Sequence, residues 1–148
     1  MRDEDMIDVA IDDLCHVPAG LYEVVYEGHE TNSRFSAKKV VLSFRITGPH
    51  YVGLTVKRFY NVQRFVGKPG PGGKFVPGKR SHFYREYLHL FEPNSRRVDR
   101  LSMSKFRHCP LLAQVREVTQ GVNGMPLARA AQYSVIDRLL PLDQEDTE

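Results

Sequence analysis

Cations and flat rings alternate along one stretch of this chain: Lys57-Arg58-Phe59-Tyr60, then Arg64-Phe65, Lys74-Phe75 and Lys79-Arg80. A single-stranded nucleic acid presents phosphates and unstacked bases together, so cations and aromatic faces hold it together. A duplex hides its base faces, and rings would gain nothing there. Other constellations fit their chemistry less well. Gly73, Gly78 and Lys79 have the spacing of a phosphate-binding P-loop. That loop needs a magnesium-ligating Ser or Thr next, where Arg80 stands, and Pro77 interrupts it. Cys15-His16 and His108-Cys109 supply zinc-ligand types, but neighbouring residues seldom reach one tetrahedral ion. Asp8, Asp12 and Asp13 could pair as nuclease carboxylates, yet they also suit a solvated helix face. His108 beside Cys109 makes a poor nucleophile and base, because sequence neighbours on a strand point apart. We therefore expect a binding protein without cofactor or metal, and not an enzyme.

The charge distribution supports a polyanion partner. Net charge is only +3 over 148 residues. Residues 1–33 carry −8, residues 34–107 carry +14 and residues 108–148 carry −3. A merely solvated surface would intersperse the signs; a basic middle between acidic ends is an electrostatic footprint. The length suits one domain with its own core. No apolar run is long enough to span a bilayer. The start, "MRDEDMIDVAIDD", is acidic, whereas a secretory leader would open basic and turn apolar. A cytoplasmic protein with two reduced thiols is expected.

The elements that must position these residues can be read from periodicity. "LYEVVYEGHET" (Leu21–Thr31) is rich in β-branched and aromatic residues and reads as a strand. In "RFSAKKVVLSFRIT" the alternation sends Val40, Leu42, Phe44 and Ile46 one way and Lys39, Val41, Ser43, Arg45 and Thr47 the other. "LTVKRFYNV" (Leu54–Val62) is a third strand. If Leu54 and Val56 face the core, Lys57 and Phe59 face out; a bulge would turn Arg58 and Tyr60 out in their place. The segment "GKPGPGGKFVPGKR" (Gly67–Arg80), with five glycines and three prolines, reads as a long flexible loop that neither helix nor strand could absorb. Its Lys74-Phe75 either folds over a ligand or belongs to a mobile connector. Ser81 then caps a helix whose stripe is Phe83, Tyr87, Leu90 and Phe91. "RRVDRLSMSKF" could hold a second short helix. Pro110–Thr119 reads as a fourth strand and "LARAAQYSVIDRLL" as a fifth, with Asn123-Gly124 marking a turn between them.

Three strands, a helix and two more strands is the element order of the OB-fold. The expected fold is mainly β: a five-stranded, OB-fold-like Greek-key barrel with a helix between strands three and four. The expected division is an acidic N-terminal segment (1–18), the nucleic-acid-binding domain (19–142) and an acidic disordered tail (143–148).

The segments "GLYEVVYEGHET", "KKVVLSFRIT", "GLTVKRFYNV", "CPLLAQVREV" and "YSVIDRLLPL" together resemble the small single-stranded DNA-binding proteins of phages and other mobile elements. The resemblance spans Ala19–Leu142 and includes the glycine before the third strand, Gly53, and an acidic tail. It implies low-specificity DNA binding in replication or recombination. It also implies that the tail "LPLDQEDTE" recruits replication or recombination proteins, although the terminal Pro-Phe of the bacterial pattern is missing.

The expected site has Lys39, Arg45, Lys57, Arg58, Arg64, Lys74, Lys79 and Arg80 on phosphates, with Phe59, Tyr60 and Phe75 stacking on bases. Single-stranded RNA fits the same description, since no residue singles out a 2′-hydroxyl. A reading from another class is an inhibitor from a mobile element, whose basic face occupies a host protein. The sequence leaves the oligomeric state open.

Overall fold

A computed structural model describes residues 15–34, 37–78, 80–91, 102–107, 109–121 and 124–142. Seven strands are present among them: β1 (Gly20–Arg34), β2 (Ala37–Gly48), β3 (Thr55–Asn61), β4 (Arg64–Val66), β5 (Lys74–Val76), β6 (Leu111–Val118) and β7 (Tyr133–Pro141). Helix α1 covers His82–Phe91 and the short α2 covers Ser104–Arg107. The chain is mainly β, and none of the described helices is long and apolar enough to cross a membrane.

Five strands pair in the order β1-β2-β3-β7-β6, and β6 pairs back onto β1. All neighbours are antiparallel except β3 and β7, which run parallel and share one registered pair, Lys57 with Val135. The alternation in β2 sets what the ring encloses. Val40, Leu42, Phe44 and Ile46 are fully buried, and their β3 partners Tyr60 and Val56 are buried with them. The turn into β3 bends at Gly53, whose φ of +97° favours glycine; its N–H donates to the Ile46 carbonyl at 2.8 Å.

Helix α1 closes one side of this core. Ser81 caps it as the sequence suggests: its Oγ accepts from the Tyr84 N–H at 3.0 Å. Phe83 and Tyr87 are buried, with Leu90 and Phe91 packed at the margin. Phe106 of α2 completes an aromatic cluster, 4.8 Å from Phe91 and 5.6 Å from Tyr26 between ring centres.

The structure corrects two expectations. The Gly/Pro stretch is no free loop, because its Lys74–Val76 forms β5 and pairs with β4. Its glycines let the backbone dock on β1. The Thr31 N–H donates to the Gly70 carbonyl at 3.0 Å, and the Gly72 N–H to the His29 carbonyl at 2.8 Å. His29 Nε2 donates to the Gly73 carbonyl at 2.9 Å, while its Nδ1 accepts from the Tyr26 hydroxyl at 2.8 Å. A Cβ on Gly73 would collide with the Thr31 hydroxyl. Second, the last strand starts at Tyr133 and not at Leu127, since Arg129–Ala131 winds into a 3₁₀ turn. The described core also includes a residue before Ala19. Val17 is buried, and Ser134 Oγ accepts from its N–H at 2.8 Å and donates to its carbonyl at 2.6 Å. Residues 1–14, with Asp8, Asp12 and Asp13, and the tail 143–148 lie outside the described residues, as do Lys79, His108 and Asn123.

Candidate nucleic-acid interface

The outer face of β2 and β3 carries cross-strand pairs set by register: Lys39 opposite Asn61, Val41 opposite Phe59, Ser43 opposite Lys57 and Arg45 opposite Thr55. Phe59 therefore points away from the core and is half-buried. Val41 is buried although it shares this outer face, so the face has an apolar floor beside Phe59. Lys39 Nζ donates to Asn61 Oδ1 at 2.6 Å, a neutral partner, and among the described residues no carboxylate pairs with it.

Two grooves meet at Phe59. The first, about 800 Å³, lies between the end of β3 and the start of α1, and is lined by Lys39, Phe59, Asn61, Gln63, Gly78 and Arg80. The second, about 580 Å³, lies between β3, β7 and the β6–β7 connection. Its walls include Phe59, Val118, Leu127, Tyr133 and Val135, and its polar rim includes Arg116 and Asp137. Lys39, Arg58 and Phe59 line both.

Beneath the shared wall lies a buried polar cluster. Arg58 Nε donates to Glu86 Oε1 at 3.0 Å and Nη2 to Oε2 at 3.3 Å. Both side chains are 12 % exposed. Tyr60 donates its hydroxyl to the same Glu86 oxygen, and the guanidinium carbon of Arg58 lies 4.4 Å from the centre of the Tyr60 ring. Arg58 Nη1 reaches the Ile136 carbonyl at 3.5 Å, bridging toward β7 where the parallel pairing is sparse. Burial, reinforced by the Glu86 charge, pushes the Tyr60 phenol well above its ordinary pKa, so Tyr60 stays neutral.

These positions sort the expected site residues. Lys39, Phe59 and Arg80 come together at the first groove, with Lys57 on the same strand face as Phe59. Tyr60 is a core residue rather than a stacking one, and Arg58 is committed to Glu86, with its guanidinium in the groove floor. Phe75 is also withdrawn: it packs edge-to-face on Phe83 at 5.2 Å and anchors the β4–β5 hairpin. Arg64 and Lys74 are exposed on that hairpin. Arg45 reaches Glu27 Oε2 at 3.2 Å, and Glu27 Oε1 accepts from the Thr55 hydroxyl at 3.0 Å. Tyr133, Arg116 and Asp137 were missed. The available signal was the alternation Tyr133, Val135, Asp137 on the last strand, which sets an aromatic and a charge on one face.

Among the described residues, no three His, Cys, Asp or Glu side chains gather as a metal site. The Cys15 thiol donates to the Thr55 carbonyl at 3.0 Å, and burial raises its pKa, which favours the protonated form. Comparison of the chain with protein families, with characterised proteins and with solved structures found no match.

Proposed function

We propose that the protein is a non-enzymatic single-stranded DNA-binding protein, and that its ring of five strands is an OB-fold Greek-key barrel with the β4–β5 hairpin inserted. The strand order β1-β2-β3-β7-β6, with β3 parallel to β7 and α1 between β3 and β6 in the chain, supports the fold reading. The observation that carries the functional reading is Phe59, an aromatic ring turned outward on β3 at the junction of two grooves, beside Lys39. A base stacks on such a ring whatever its identity, while Lys39, Lys57 and Arg80 neutralise the backbone. The acidic segment 143–148 would then dock replication or recombination proteins.

The test is fluorescence anisotropy with labelled single-stranded DNA, the matching duplex and single-stranded RNA. Single strands should bind more tightly than the duplex. The chain has no tryptophan, so tyrosine emission can report binding directly. Quenching of that emission should saturate at a fixed number of nucleotides. Equal or tighter duplex binding would remove the need for stacking and sink the reading. Absence of any nucleic-acid binding would favour a basic face that docks on a protein.

A further inference from the structure

Two carboxylates of the outer face are paired with arginines, an arrangement that a uniform polyanion binder would not need. Both occupy irregularities of strand register. Tyr26 pairs with Phe44 and Gly28 with Ser43, so Glu27 is an extra residue of β1. Gln114 pairs with Arg138 and Val115 with Ile136, so Asp137 is an extra residue of β7. Such bulges re-aim a side chain. Each carboxylate takes an arginine of the same face, Glu27 with Arg45 at 3.2 Å and Asp137 with Arg116 at 3.1 Å. By contrast, among the described residues no carboxylate pairs with Arg80 or with Lys39 in the first groove.

A phosphate would be repelled at the Asp137 edge, so that edge of the second groove suits a less anionic part of the ligand. The groove's floor of Phe59, Val118, Leu127, Tyr133 and Val135 suits a flat apolar face, and the Arg116–Asp137 pair on its rim, apart from the Lys39 and Arg58 that it shares with the first groove, offers an acceptor beside donors. A nucleobase has that shape and a polar rim. The carboxylate needs donors side by side, and the guanidinium needs an acceptor next to them. Guanine presents N1–H and N2–H adjacent to O6. Adenine and cytosine offer one exocyclic amine next to acceptors, and thymine one N–H between two acceptors.

We propose that the second groove reads a guanine, with N1–H and N2–H donating to Asp137 and O6 accepting from Arg116. The inference rests on the single-strand reading and adds one selective position to an otherwise sequence-tolerant path. Arg116 and Asp137 are both more than half exposed, so their mutual pair is weakly held and easily exchanged for a base edge.

The test compares oligothymidine, long enough to cross both grooves, with the same strand carrying one central guanine, by anisotropy on the full chain. The guanine strand should bind on the order of tenfold more tightly. Hypoxanthine in place of guanine deletes the N2 amine and should lose most of that gain without any change to the protein. Asp137→Asn should bring the two strands to parity. If the parent binds both strands equally, the guanine assignment is overturned and the single-strand reading stands. A preference that survives Asp137→Asn overturns the assignment too. If neither strand binds, the single-strand reading falls and takes the inference with it.

Discussion

The two grooves share a wall and differ in what neutralises their cations. In the first, Arg80 is exposed at the mouth, while Lys39, which lines both, is held by the neutral Asn61. In the second, Arg116 already has Asp137. An uncompensated cation gains by displacing counterions from a phosphate, whereas a paired one must first give up its carboxylate. On the single-strand reading that we propose, the pair of grooves would separate two tasks on one face: backbone capture at the α1 end and base contact at the β6–β7 end. It also shows that counting positive charge along a sequence overstates the cations a ligand can use.

The largest effect should come from removing what both grooves rest on. Glu86→Ala strands Arg58 with its charge buried and unpaired and leaves the Tyr60 hydroxyl without its acceptor. Breaking such a pair costs about 3–5 kcal/mol, which should lower the melting temperature by on the order of 10 °C. A shift of only a degree or two would mean that water reaches Arg58 and that the shared floor is soft.

Next in size is the shared ring. Phe59→Ala should cost about 1–3 kcal/mol of single-strand affinity, the loss of one base–aromatic stack. The salt dependence should stay the same, since no charge is removed. A steeper loss in guanine-containing strands than in oligothymidine would show that Phe59 serves the second groove more than the first.

Charge deletions then test the comparison directly. Arg80→Ala should make the slope of log K against log salt shallower by about 0.7, the single-strand value per phosphate contact. Arg116→Ala should leave the slope nearly as it is, because Asp137 already compensates that charge. Equal slope changes for the two variants would erase the distinction between the grooves.

The smallest effect concerns Glu117, one residue from Arg116. His16 hydrogen-bonds it at 2.7 Å and the Ala19 N–H donates to it at 3.3 Å, and these interactions lower its pKa. A depressed carboxylate stabilises the fold above its unfolded pKa, and that contribution is lost as pH falls through the depressed folded value. Melting temperature followed downward through the ordinary glutamate range, about 4.3, should therefore decline slightly less in Glu117→Gln than in the parent. Identical acid limbs would leave this exposed pair without thermodynamic weight.

Much of the frame was legible in the chain. Period-two alternation in β2 identified Val40, Leu42, Phe44 and Ile46 as core, because a strand's side chains must alternate whatever it packs on. The same holds for the α1 stripe, where Phe83 and Tyr87 recur at helical spacing. The basic middle of the chain was equally plain, since formal charge is a property of composition. What tertiary structure decided was how each ring and charge is used. Phe59 and Tyr60 are adjacent and both aromatic; only the β2–β3 register turned one out and buried the other. Phe75 looked free because it lies in a stretch rich in Gly and Pro. It is anchored because the hairpin docks on β1, over forty residues away in sequence, and brings it onto Phe83. Arg58 met Glu86, and Asp137 met Arg116, across elements whose contact no local pattern records. Asp137 follows the alternation of Tyr133 and Val135, but the one-residue slip in register between β6 and β7 at which it sits is not written in that alternation. Local periodicity determines which residues can face inward; long-range pairing determines which outward residues share a surface, and the candidate site belongs to the second.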